Sequence, residues 1–157
     1  MQSKFRFICA AIVLYGVRAY ALSDLITQNL TVTPASGAAG SGVNVSFTIR
    51  NNGGTTASAS TVNIRLATSS GSVTTGDPLL TSVNVPTVAA GGTYPVSANV
   101  TIPSGRATGQ NYVWVILDVG STAGQGAANE ANDKSNTPFM VQPSPDGFVL
   151  YGVDVSH

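Results

Sequence analysis

The chain has 157 residues, of which 9% are charged and 17 are glycine, a length that holds one ordinary domain. Its formal net charge is zero, but beyond residue 21 only Arg50, Arg65, Arg106 and Lys134 face seven acids, a net of −3. A mildly acidic body without a basic cluster excludes the electrostatic footprint of a nucleic-acid binder. Leu, Glu and Lys are scarce beside Ser, Thr, Val and Ala. That balance favours strands and turns over surface helices.

Residues 1–21 read as a cleaved secretory signal. Lys4 and Arg6 precede the apolar stretch ICAAIVLYGV, and Ala19 and Ala21 place small residues where a signal peptidase reads. The apolar stretch is shorter than the roughly 20 residues of a membrane span. Cys9, the one cysteine, lies inside it. The mature chain therefore has no thiol, and its core must hold the fold without a disulfide. The expected location is secreted, periplasmic or at the cell surface.

From Leu25 onward the apolar residues recur with period two, and turn residues interrupt them at short intervals. A first strand spans residues 25–33 and stops at Pro34. Val43, Val45, Phe47 and Ile49 alternate with polar residues until the turn Asn51-Asn52-Gly53-Gly54, whose residue types tolerate positive φ. Val62, Ile64 and Leu66 mark a third strand, residues 79–85 a fourth that ends at Pro86, and Val96 to Ile102 a fifth. Residues 112–119, YVWVILDV, are apolar on both faces, which predicts a central strand with Trp114 as its core anchor. Residues 137–141 complete an all-β, immunoglobulin-like antiparallel sandwich of about seven strands. After it, residues 143–157 form a tail with renewed alternation (Val149, Tyr151, Val153, Val155). Its pattern resembles the first strand, and it reads as an extra edge strand or as the first strand of a truncated repeat.

The order of the turns carries a family resemblance. The opening Asp24-Leu25, the stretch VSFTIRNNG, GDPLL after the long hairpin, VPTVAAGGTYPV, YVWVILD and the closing EANDKSN succeed one another at the spacing of a CARDB module. CARDB is a cell-adhesion-related domain of bacterial and archaeal surface proteins, and the similarity runs from about residue 24 to 141, within a domain of residues 22–142. It implies an immunoglobulin-like sandwich and a role in adhesion or display. It implies no reaction.

Candidate sites concentrate in NEANDKSN, residues 129–136. Asp118, Glu130, Asn132 and Asp133 are candidate calcium ligands, because calcium takes oxygen ligands with flexible geometry. The alternative, favoured by the spacing and by Lys134 within the cluster, is a polar turn whose Asn and Asp side chains satisfy nearby backbone groups. The hairpin TSSGSVTTGD, residues 68–77, has Asp77 placed to bond within the turn and lacks the Lys-Ser/Thr of a P-loop. His157, the single histidine, is the final residue, so no serine nucleophile has a base in the body of the domain. A carboxylate pair from Asp77, Asp118, Glu130 and Asp133 would still need a concave sugar cleft. Sequons occur at Asn29, Asn44 and Asn99. The reading is of an exported, non-enzymatic module with no cofactor, serving adhesion, display or protein interaction. The alternatives are glycan or peptide binding through the end loops, and self-association by strand exchange through the tail.

Overall fold

A computed structural model describes residues 22–127 and 129–144. The expected signal segment and nearly all of the tail lie outside them. The described chain forms two packed sheets from eight strands: β1 (Leu25–Thr33), β2 (Ser36–Ala38), β3 (Gly42–Asn51), β4 (Ser60–Ala67), β5 (Leu79–Val85), β6 (Thr93–Thr101), β7 (Gly109–Ile116) and β8 (Lys134–Gln142). One sheet has the order β1-β3-β6 and the other β2-β8-β7-β4-β5. A single 3-10 turn, Glu130–Asn132, precedes β8.

The alternation read from the sequence is the pattern of burial. Val43, Val45, Phe47 and Ile49 point inward from β3, while Val62, Ile64 and Leu66 do so from β4. Val113 and Val115 of β7 and Phe139 and Val141 of β8 close the same core. Each fully buried Ile or Leu contributes about 1.5–3 kcal/mol by leaving water, which lets the core hold the fold without a crosslink.

Three details differ from the sequence expectation. β1 ends at Pro34, which has no N–H to continue the ladder. The chain then crosses to the other sheet, where β2 pairs in parallel with Met140–Gln142 of β8. The sandwich thus has eight strands and one parallel pair. β7 stops at Ile116, since Asp118 adopts φ +43 and bends the chain out of register. Trp114 is buried but not between the sheets. It lies on the outer face of β7, opposite Arg65 and Asn136, under the β4–β5 loop, and its Nε1 donates to Ser69 O at 2.9 Å. A strand that is apolar on both faces does not reveal which face meets the core.

The chain enters and leaves the sandwich at opposite ends. β1 starts beside Asn51, the last residue of β3, at what we term the upper end. β8 also starts there and runs down to Gln142, beside Ala38 at the lower end.

Candidate functional site

The candidate ligands lie at the upper end, in the connection between β7 and β8. Asp118 is almost fully buried. Its Oδ1 accepts from Thr122 N at 2.8 Å, Thr122 Oγ1 at 3.1 Å and Ala123 N at 3.0 Å, and its Oδ2 accepts from Ala123 N at 2.9 Å. This carboxylate thus shapes the turn just after it, in the way Asp side chains fold tight loops.

Asp133 is equally buried and serves a longer connection. Both its oxygens accept from Gln125 Nε2, at 3.1 and 3.0 Å, and Gln125 Oε1 accepts from Leu25 N at 2.5 Å. A carboxylate near the end of the β7–β8 loop thereby holds the first residue of β1. Burial raises the Asp133 pKa to about 7; the Gln125 bond offsets part of the shift, and Glu130, Asp118 and Asp24 add to it.

The other two candidates turn to different partners. Glu130 Oε2 accepts from Ser121 Oγ at 3.1 Å, and Asn132 Nδ2 donates to Asp24 Oδ1 at 2.9 Å. Asn129 Nδ2 donates to Ser23 O at 2.9 Å. Asn136 leaves this end, donating from the outer face of β8 to Ser70 O at 3.1 Å. Asp77 lies in the β4–β5 loop, where it accepts from Thr74 N at 2.8 Å. It shares no site with Asp118, Glu130 or Asp133. Among the described residues, no three of His, Cys, Asp and Glu come together in a way that could hold a metal ion.

The roles of two residues central to this end are not legible in the sequence. Gln125 stands in a Gly/Ala stretch and meets a partner one hundred positions away. Asn51, which read as a turn former, is a fully buried hub. Its Oδ1 accepts from Asp24 N at 3.1 Å and Gly53 N at 3.0 Å, and its Nδ2 donates to Thr55 O and Val88 O. The backbone of residues 22–24 passes so close to Gly53 that a Cβ there would sit 2.1 Å from Leu22 O, so a glycine is required. Together these bonds tie β1, the β3 turn and the β7–β8 loop into one block. Asp118 and Asp133 spend their carboxylate oxygens on N–H donors and the Thr122 hydroxyl, while Glu130 accepts from the Ser121 hydroxyl.

The CARDB family model matches residues 22–137. No curated protein matches the chain in sequence. Among solved structures, the CARDB domain of a Pyrococcus furiosus protein, crystallised in complex with di-metal ions, superposes with TM-score 0.56 at 16% identity, covering 77% of this chain and 90% of that one. An alkylpurine DNA glycosylase from Pseudomonas fluorescens, bound to DNA containing an abasic site analogue, gives TM-score 0.51 at 17% identity over 76% of this chain and 31% of that one. β-Glucosidase 3B from Thermotoga neapolitana, in complex with α-D-glucose, gives 0.51 at 16% identity over 76% of this chain and 16% of that one. At these identities the likeness is one of fold. In the two enzymes it covers a minor part of the chain. Among the described residues, no helix is long and apolar enough to cross a membrane.

Proposed function

This chain belongs to the CARDB family, β-sandwich modules of bacterial surface proteins, and from that premise we propose that it is an exported, non-enzymatic module that spaces or presents an interaction surface outside the cell. The observation that carries the reading is the placement of the sandwich's first and last strands. β1 starts at the upper end and β8 finishes at the lower one, so the module sets its points of entry and exit a strand length apart. For the nine residues of β8 that is about 30 Å. The upper end supports the same reading, because Asn51, Asp118, Gln125 and Asp133 spend their buried polar groups on holding the fold. Residues 1–21 supply the export signal, and the mature protein starts at Leu22.

Surface labelling tests this. Antibodies raised against the domain are applied to intact cells of the source organism, and the N-terminus of the recovered protein is sequenced. The expected outcome is labelling of unpermeabilised cells and a chain that starts at Leu22. A protein found only in the cytosolic fraction, still carrying Met1, would sink the proposal.

A further inference from the structure

The outer face of the five-stranded sheet carries a depression that the fold itself does not use. The β4–β5 loop turns back over this face and is fastened there from below. Trp114 and Asn136 donate to Ser69 O and Ser70 O, and Arg65 Nη1 donates to Asp77 O at 2.6 Å and Thr75 O at 3.2 Å. Between the fastened loop and the start of β8 lies a groove of about 320 Å³. Ile116 forms its floor, Val73 and Val119 are its apolar walls, and Arg65 and Lys134 supply its charges. Val119 is 40% exposed. Among the described residues no carboxylate lines the groove, with Asp77 bonded to the lining Thr74, although the body of the protein is net acidic.

We propose that this groove binds an extended acidic peptide segment of a partner protein, with one aliphatic side chain on Ile116 and Val119 and carboxylates directed to Lys134 and Arg65. Three features select that occupant. Two cations in a groove lined by no carboxylate among the described residues, on an acidic body, call for a ligand with a few local negative charges and disfavour a polyanion. The floor is aliphatic and lacks the aromatic platform on which sugar rings stack, so a Val or Ile side chain fits it better. The spacing also suits an extended chain. Ile116 pairs with Lys134 on one side and Asn63 on the other, and Arg65 is two residues along β4 from Asn63. The cations thus sit two strand spacings apart across the sheet and two residues apart along it, about 12 Å at the backbone, on either side of Ile116. Alternate side chains of an extended peptide point the same way at intervals of about 7 Å, which places acid, aliphatic and acid across the groove. The loop fastenings fix the wall in advance, so binding does not have to order it.

The inference rests on the interaction role proposed above and names the class of partner. Its test uses the purified protein and a fluorescein-labelled peptide Glu-Ser-Val-Ser-Glu, monitored by anisotropy, with backbone amide shifts recorded by NMR. Saturable binding is expected, with shifts centred on Ile116, Val119 and Lys134 and no binding of Lys-Ser-Val-Ser-Lys. Lys134→Gln should weaken binding by about three- to ten-fold, and Val119→Asp, which places a carboxylate on an already exposed wall, should abolish it. Absence of saturation, equal binding by Val119→Asp, or shifts confined to a sheet edge would overturn the groove. Binding of trigalacturonate in place of the acidic peptide would overturn the peptide assignment. Either failure, in a protein that still labels on intact cells, leaves the export reading standing.

Discussion

The two long connections of the domain are both polar, yet they are built on opposite principles. The β7–β8 connection turns its polar side chains inward: Asp118, Gln125 and Asp133 are each at most 3% exposed and bond to backbone or to one another. The β4–β5 loop leaves its Ser and Thr side chains in water, and the sheet beneath reaches up to hold its carbonyls. The first loop is part of the fold, since a buried polar group that loses its partner keeps the whole desolvation penalty. The second is an attachment. Its fastening costs little to perturb, and its surface is free to meet a partner.

The sharpest way to break that contrast is Asp118→Ala. It strands the N–H groups of Thr122 and Ala123 and puts alanine at a positive φ. The expected loss is about 3 kcal/mol, measured by urea unfolding. A loss below about 1 kcal/mol would mean that the loop does not depend on its buried carboxylate.

A pH series gives the next largest effect. An Asp whose pKa is about 7 in the fold and near 3.8 when free binds more protons folded than unfolded between those values. The stability it contributes is therefore fully present below about pH 4, declines as pH rises toward 7 and is level above. The wild-type protein should lose about 2 kcal/mol over that interval relative to Asp133→Asn, less than the full shift implies because relaxation and water penetration soften the penalty of a buried charge. Parallel pH profiles for the two proteins would rule this out. The smallest effect belongs to the attached loop. Asp77→Ala removes two exposed hydrogen bonds to Thr74 and should cost under about 1 kcal/mol, read from the same urea midpoints.

The same contrast governs what could be read from the sequence. β1 and β5 end where Pro34 and Pro86 announce it, and the inward residues of β3 and β4 obey the alternation. These signals are local, because a strand's facing is written into every second residue. β2 escaped because Ser-Gly-Ala has no apolar period; it is a strand only because β8 lies beside it. Trp114 was misplaced for a related reason. Its cover is a Ser/Thr/Gly loop that gives no sign in the sequence of turning back over the sheet. The density of Asn and Asp in residues 129–136 was visible, but its purpose was not. The partners of Asn129 and Asn132 are Ser23 and Asp24, more than one hundred positions away.

The strand that changes sheets has a mechanical consequence. When the start of β1 and the end of β8 are pulled apart, β1 is drawn upward along its own axis and β8 downward. The ladder between β2 and β8 is parallel, so such a load shears its hydrogen bonds together and does not peel them one at a time. The antiparallel ladder between β1 and β3 is loaded lengthwise in the same way. A module strung between two anchors would thus resist tension with both of its sheets at once.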